Sequence, residues 1–475
     1  MESLFYPQIE FILKRGTGIK ACLFDSESKQ MISNLIPLSV FRDNGFFYFD
    51  YLTNKNRTKV DGMCCIVIVR PCNLKVLLEE IVCPFYGNYI ILFTTQIDPF
   101  VLEIMANTDI HSVISEVHEI NLDLYRQSLN LYTTNSLMYK RNFDALFSLL
   151  LSLEMSPSIL ALNESSSKEN IDMNESMVNL GRDLCNKIAQ FNFQKRGTLV
   201  LLKRNFDLIT PLLYDWHYFS MINEHFDLEN SIVKVNNRDY LLNDAFFNIN
   251  KFKQIAEVGE QIKIFIKEVE KNKLSIDDFE EIQEMVTQKT IAEVHLSIYN
   301  RIINEAVGIQ QISEIENEVL VNKDISIARA IENLGNSNAL KVLLIYFLKY
   351  VKNWEESSRA FPKFRADLLK FYESHRPLNY CYKNGFNTGV DIKLGYISPL
   401  KRVVKHLVFN KLKDNSFVRF GNVEDITPII IYIEGGVTLR EHREICEFAS
   451  EHKIEVIVIS NEVLNSSKFF NYAKG

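Results

Sequence analysis

The chain has 475 residues with a formal net charge of −7, and 47% of its side chains are hydrophobic. This length suits about three domains of ordinary size. The acidic balance argues against nucleic acid as a partner, because such binding needs a basic surface. The longest apolar runs, such as Val342–Leu348, are too short to span a bilayer.

The spacing of cysteine and histidine predicts no metal site. None of the eight cysteines forms a Cys-x-x-Cys pair with a matching partner, and none of the nine histidines belongs to a His-Glu-x-x-His arrangement. Cys64 and Cys65 lie inside an apolar run, where free cysteine behaves as a small hydrophobe. We therefore expect a reducing, cytoplasmic location and neither a metal nor a cofactor.

Strand and helix signals alternate over residues 1–133, which predicts a parallel sheet covered by helices. The predicted strands are Lys20–Phe24, Phe46–Tyr51, Met63–Val69 and Tyr89–Phe93, with a fifth element at His118–Tyr125. The predicted helices are Leu4–Lys14, Asn73–Ile81 and Pro99–Asn107. We assign this segment to a first α/β domain.

Residues 199–218 carry the most distinctive pattern of the chain. A buried strand, Leu199–Leu202, ends in a turn that contains Arg204 and Asp207. Thr210-Pro211 predicts a helix start, since threonine caps helices and proline suits their first turn. Arg204 and Asp207 follow a strand's carboxyl end, where α/β folds often place function. A catalytic role is thus conceivable, but we favour a structural role in which they bridge the turn.

Residues 230–353 contain no proline, and their apolar residues recur every three or four positions. This periodicity predicts amphipathic helices and therefore a mainly helical insertion of its own. The segment that follows returns to strand and helix signals, with strands at Ile429–Ile433 and Glu455–Ile459 and a helix at Leu439–His452. We expect residues 134–229 and 354–475 to share one sheet, forming a discontinuous second α/β domain around a third, helical one.

The turn Gly435-Gly436 joins a strand to a helix, a position at which phosphates often bind. There is, however, no Gly-x-Gly-x-x-Gly and no Gly-Lys-Ser/Thr pattern. A tight turn that needs positive φ is the favoured interpretation. The alternative is a nucleotide- or sugar-binding α/β enzyme that uses this turn. We identify no catalytic residues, and we expect His442 and His452 at the surface.

Three clusters of residues resemble the Sec/Munc (SM) family of cytosolic regulators of SNARE-mediated membrane fusion. The first comprises Arg204, Asp207, Thr210, Pro211, Leu212 and Leu213. The second comprises Gly435, Gly436, Thr438 and Glu441. The third is the closing segment Asn465–Phe470. Lys203 departs from the family pattern, which has aspartate there.

The resemblance implies an arch-shaped α/β protein with two parallel-sheet domains and a large helical insertion domain. It further implies a non-enzymatic monomer that binds a syntaxin-type (Qa) SNARE and the assembling SNARE complex. Segments such as Leu213–Met221 and Ile430–Gly436 look most like the vacuolar-protein-sorting branch. That branch implies peripheral association with Golgi, endosomal or vacuolar membranes through partners. The exocytic and ER–Golgi branches are the alternatives within the family.

Two binding surfaces follow from the resemblance. The pocket for a syntaxin amino-terminal peptide maps to Leu102, Ile114 and Glu119, although Leu102 and Ile114 would also suit simple packing of helix on sheet. The helical hairpin that engages SNAREs maps to the region Phe279–His295. Its apolar residues are Phe279, Ile282, Met285 and Ile291. No proline lies there to act as a hinge.

Overall fold

The computed structural model describes residues 4–163, 176–271, 279–375, 390–391, 395–412, 417–421 and 426–474. Among these residues, none of the helices combines the length and apolar content needed to cross a bilayer.

The strands of the described residues are numbered in chain order. They are β1 Lys20–Phe24, β2 Phe46–Tyr51, β3 Val60–Val69, β4 Tyr86–Phe93, β5 Ile114–Glu119, β6 Tyr125–Ser128, β7 Leu131–Thr133, β8 Ser158–Leu162, β9 Thr198–Lys203, β10 Ile232–Val235, β11 Arg238–Leu241, β12 Val390–Asp391, β13 Gly395–Tyr396, β14 Phe417–Phe420, β15 Ile429–Glu434, β16 Val437–Thr438, β17 Val456–Ser460 and β18 Val463–Leu464.

The α-helices follow the same order. They are α1 Tyr6–Leu13, α2 Ser26–Ser33, α3 Leu38–Asp43, α4 Leu74–Val82, α5 Pro99–Thr108, α6 Tyr139–Ser152, α7 Ser176–Ile188, α8 Tyr218–His225, α9 Ala245–Asn250, α10 Ile255–Lys271, α11 Phe279–Val321, α12 Ile327–Ala330, α13 Asn336–Tyr350, α14 Trp354–Ser357, α15 Arg365–His375, α16 Pro399–Val408, α17 Leu439–His452 and α18 Ser466–Lys474.

The first sheet is fully parallel, with strand order β2-β1-β3-β4-β5. This is the doubly wound order, and it confirms the predicted parallel sheet. The first four predicted strands are present, although β3 and β4 each begin three residues earlier than predicted. The predicted position of the fifth element, His118–Tyr125, is wrong, because β5 spans Ile114–Glu119. Asn121, just after this strand, adopts a left-handed φ of 51°. The chain leaves the sheet at that turn.

The second sheet has the order β14-β8-β9-β15-β17-β7-β6. Strands β8 and β9 precede the helical insertion and β15 and β17 follow it, so the predicted sharing of one sheet is confirmed. The hairpin β6–β7 pairs with β17 in this sheet. The sequence-based division at residue 133 groups these two strands with the first domain, whereas their backbone pairing is with the second sheet.

The helical region differs from its prediction at its start. It opens with a β-hairpin, β10–β11, whose turn residues Asn236 and Asn237 have φ values of 50° and 61°. Two left-handed asparagines between apolar runs are typical of a tight hairpin turn, a signal that helical periodicity does not register. In addition, Phe279–His295, around which the helical hairpin is expected, belongs entirely to the 43-residue helix α11, and α10 packs against this helix.

One apolar cluster joins the two sheets. It includes Phe24 and Ile66 of the first sheet together with Leu201 and Tyr432 of the second, and α1, α2, α6 and α7 contribute to it. Each fully buried large apolar side chain of this kind stabilises the fold by about 1.5–3 kcal/mol. The first domain is therefore packed on the second through a shared core.

His442, expected at the surface, is fully buried on α17. Its Nε2–H donates to the carbonyl oxygen of Leu129 in the β6–β7 turn, at 3.1 Å, and its ring contacts Phe252 edge-on. Burial lowers the pKa of His442 to about 3, and the nearby charge of Lys251 adds to this shift. The imidazole is therefore neutral in the folded chain.

The burial of neutral His442 predicts a loss of stability in mild acid. The unfolded chain takes up a proton at this residue below about pH 6.5, whereas the folded chain does not. The contribution of the neutral His442 imidazole to the free energy of unfolding is thus full above pH 6.5. It falls by up to about 1.4 kcal/mol per pH unit below that pH. The free energy of unfolding, measured with urea, should differ less between pH 7.5 and pH 5.5 for His442→Gln than for the parent chain. The exposed His111→Gln is the control and should keep the parent difference; equal differences in all three proteins would contradict the assignment.

Candidate functional site

The signature residues meet in one buried cluster at the carboxyl ends of β9 and β15. Arg204 follows β9 and makes a two-pronged ion pair with Glu441 of α17, with both N–O distances at 2.9 Å. Its Nε donates to the carbonyl oxygen of Asp207 at 2.9 Å, and its Nη1 to that of Gly436 at 3.3 Å. One side chain thus connects the turn after β9 with the turn after β15.

The charges of this cluster compensate one another away from water. Burial disfavours the charged guanidinium, but the carboxylates of Glu441 and Asp207 outweigh it and hold the pKa of Arg204 above its usual value. Burial raises the pKa of Asp207, against the opposing charge of Arg204. All three side chains are almost fully inaccessible, so this arrangement supports structure rather than contact with a substrate.

Gly435 and Gly436 are required by close approach and by backbone conformation. Their φ values are 91° and 102°. A Cβ on Gly435 would lie 2.9 Å from Cβ of Arg204, and one on Gly436 only 2.4 Å from Cγ of Leu464. Both positions therefore exclude side chains, which agrees with the favoured interpretation of a tight turn.

The predicted helix start at Thr210-Pro211 is wrong, because Thr210–Leu212 forms a single 3-10 turn. The turn stops at Leu213, whose backbone is extended, and α8 begins only at Tyr218. Thr210 does not act as a cap; its hydroxyl lies 2.8 Å from that of Tyr396. Asp207 has the capping role instead, since its Oδ1 accepts from the amides of Ile209 and Thr210.

The cluster occupies the place in the second sheet where a ligand would be expected. Helix α7, between β8 and β9, packs on one face of the sheet, and α17, between β15 and β17, packs on the other. Open α/β sheets bind ligands where neighbouring connections diverge in this way. Arg204 fills this crevice, and the amides of Gly435 and Thr438 already donate to Asn461 and Glu441. No amide of these two is left for a phosphate.

The first sheet is closed in the same manner between β1 and β3. Asp25, after β1, accepts from the amide of Arg70 at 2.7 Å and from Asn73 at 2.9 Å. The Arg70 guanidinium lies 3.2 Å from the carboxylate of Asp123, which also binds Arg141 of α6. Burial raises the pKa of Asp123 to about 6, against the two arginines. In the part of the chain that the structure describes, no group of three His, Cys, Asp or Glu side chains is arranged to hold a metal ion.

Ile114 and Glu119 of the expected peptide pocket share one face of the first sheet, and Leu102 lies on α5, the helix that covers this face. Tyr89 pairs with Ile114 and Ile90 with Glu116, so Ser115 is a bulge that brings Ile114 and Glu119 to the side covered by α5. Ile114 packs against the core of this face, whereas Leu102 on α5 remains 44% exposed. The Glu119 carboxylate accepts from the amide of Ile97 at 2.8 Å. Packing of helix on sheet thus accounts for the position of Ile114, but it does not account for the exposed side chain of Leu102.

The residues of the expected SNARE-engaging surface lie on the first turns of α11. Ile291 is partly buried and packs against the core beneath the helix. Met285 is half-buried, and the side chains of Phe279 and Ile282 lie outside the described residues. Exposed apolar residues further along the same helix carry no sequence signal that distinguishes them from its buried stripe. They are Val286, Leu296, Ile303, Val307 and Val321.

The pairing of Arg204 with Glu441 predicts a large stability effect from a small change. Glu441→Gln keeps the size of the side chain but leaves the buried guanidinium without its carboxylate, which should cost about 3–5 kcal/mol in the free energy of unfolding. The control is Glu293→Gln in the exposed pair Lys289–Glu293, which should cost less than about 1 kcal/mol. Similar effects of the two substitutions on urea unfolding would contradict the structural role of the cluster.

Known proteins resemble this chain over nearly its whole length. It is 24% identical to vacuolar protein sorting-associated protein 45 of Dictyostelium discoideum, in a match that covers 97% of this chain and 94% of that protein. The human protein of the same name is also 24% identical, in a match that covers 96% of this chain and 92% of that protein. These relatives confirm the predicted resemblance to the vacuolar-protein-sorting branch.

Solved structures show the same fold. The SM protein Vps45 in complex with the Qa SNARE Tlg2 matches with a TM-score of 0.85 at 20% identity, covering 99% of this chain and 97% of that one. Sly1p in complex with an N-terminal peptide of Sed5p matches with a TM-score of 0.81 at 16% identity, over 100% and 98%. The predicted α/β fold class is thereby confirmed. The Sec1 family model matches residues 20–472, and the chain therefore belongs to the Sec1 family.

Proposed function

We propose that this chain binds a syntaxin-type Qa-SNARE and promotes SNARE assembly in endosomal, Golgi or vacuolar transport. The observation that carries the proposal is the match, over 99% of the chain, to Vps45 in complex with the Qa SNARE Tlg2. Such a protein lowers the cost of ordering flexible SNARE segments by holding them in register. It acts from the cytoplasm and reaches the membrane through its partners.

A role without catalysis is supported by the two closed crevices. Arg204 fills the ligand position of the second sheet, and Arg70 with Asp123 fills that of the first. An enzyme of this architecture would bind its substrate at those positions. The geometry of the two crevices therefore does not favour a nucleotide- or sugar-binding enzyme. We propose that binding takes place on outer surfaces instead.

The proposed domains are residues 1–133, residues 134–229 with 354–475, and residues 230–353. The strands of residues 125–133 complete the sheet of the second domain. In the first domain, the proposed peptide site comprises Leu102, Ile114 and Glu119. A half-buried apolar wall with one acidic neighbour suits a short peptide that carries an apolar anchor and a basic residue. In the third domain, the proposed SNARE surface is the exposed side of α11, including Met285 and Val286.

Leu102→Asp should weaken binding of a Qa-SNARE that retains its amino-terminal peptide. The substitution places a charge where an apolar anchor would be desolvated, and we expect a loss of at least about tenfold in affinity by calorimetric titration of the full chain. The matched control is Val82→Asp on α4 of the same domain, because Val82 is 45% exposed and Leu102 is 44% exposed. The control should bind like the parent chain.

Removal of the peptide from the SNARE separates the possible outcomes. If the truncated SNARE binds the parent chain and Leu102→Asp equally well, the peptide site is supported and a second contact is required. If Leu102→Asp has no effect on the intact SNARE, the peptide site is wrong. If no Qa-SNARE of the same organism binds the parent chain, the proposed function itself is wrong.

Val286→Asp should slow SNARE assembly without lowering the melting temperature. Val286 is 53% exposed on α11, so a charge there disturbs a docking surface but not the core. A fluorescence assay of SNARE assembly with the purified full chain measures the effect, for which we expect at least about a threefold loss of stimulation. Ile249→Asp on α9, where Ile249 is 70% exposed, is the control. Equal stimulation by the two variants would exclude the proposed α11 surface.

A further inference from the structure

A small cavity of about 30 Å³ lies behind the signature turn. Its walls come from that turn, from α8 and from the first turns of α17 and α18. The lining residues that matter for its chemistry are Asp215, Asn223, Glu224 and Arg440. The cavity is separate from the crevice that Arg204 fills, because neither Arg204 nor Gly435 lines it.

Two residues of the lining each carry a buried polar atom that lacks a hydrogen-bond partner among the described residues. The first is Oδ1 of Asn223. The orientation of this amide is fixed, because its Nδ2 donates to the carbonyl oxygen of Leu464 at 3.0 Å. The second is Nε of Arg440, which lies 3.4 Å from Asp215 without hydrogen-bond geometry. The Nη2 of Arg440 is held by the carbonyl oxygen of Tyr214 at 2.8 Å.

We infer that this cavity is the binding site of an ordered water molecule. The Asn223 oxygen needs a donor and the Arg440 N–H needs an acceptor, and leaving either group buried without a partner is unfavourable. A metal cation accepts no hydrogen bond, and an anion donates none and would face the carboxylates of Asp215 and Glu224. Water does both, and a cavity needs only about 10–15 Å³ of this kind of volume to hold one molecule.

The bound water connects three parts of the chain that are distant in sequence. Asn223 belongs to α8 and Arg440 to α17, and Arg440 also holds the backbone of the signature segment at Tyr214. Asn223 is in turn joined to the closing segment, because its carbonyl oxygen accepts from Asn465. Asn223 and Arg440 are therefore positioning residues, and the water completes the polar contacts of the signature segment.

A crystal structure of the full chain, at a resolution that shows ordered water, tests the inference. We expect a density peak within hydrogen-bond distance of Asn223 Oδ1, about 2.7–3.2 Å. A cavity without density would overturn the inference. So would an Asn223 amide that is turned to meet a protein group instead.

Asn223→Leu removes one of the two proposed partners of the water at similar side-chain size. We expect the peak to be lost from crystals of this variant, and a peak that persists would contradict the role of Asn223. If this variant does not fold, Arg440→Lys removes the other partner and keeps the positive charge. The peak should then weaken, and an unchanged peak would count against the proposed site. Ser33→Ala on α2, at an exposed residue outside the lining, is the control and should keep the peak.

Discussion

The buried ion pair between Arg204 and Glu441 is the contact on which the second domain depends. It connects the turn after β9 to the helix after β15, two segments separated in the chain by the whole helical insertion. The Arg204 guanidinium contacts Asp207, Gly436 and Glu441 at the same time. Breaking one side of such a pair leaves an uncompensated charge in a low-dielectric core, which explains why both turns must keep their shape.

The same constraint links stability to function. Both sheets are doubly wound and both offer a crevice at the carboxyl ends of their strands, the usual ligand position of such folds. Each crevice is closed by side chains of the chain itself, with arginine facing carboxylate in both. A shared apolar core fixes the first domain on the second. The proposed recognition therefore uses outer surfaces, such as the exposed side chains of α5 and α11, and not the internal crevices.

The candidate surfaces are only partly predictable from sequence. Leu102, Ile114 and Glu119 follow from resemblance, and periodicity alone does not reveal the bulge at Ser115 that places Ile114 and Glu119 on one face. Ile291 looks available because it belongs to an apolar stripe, yet that stripe is the buried side of α11. The exposed residue Val307 lies on the other side, where a single apolar residue carries no periodic signal.

The sequence by itself determined many of the local elements, among them β1, β2 and α17, because continuous apolar runs and helical periodicity act over a few residues. It also determined the family, through Arg204, Thr210, Gly435 and their neighbours. The sequence also indicated that the segments on either side of the insertion share a sheet, but only the tertiary structure decided which individual strands and side chains meet. The strand β7 pairs with β17 from the far end of the chain, and the imidazole of His442 is buried under the β6–β7 turn. Pairing and burial of this kind depend on the sum of many long-range contacts, and no short stretch of residues encodes them.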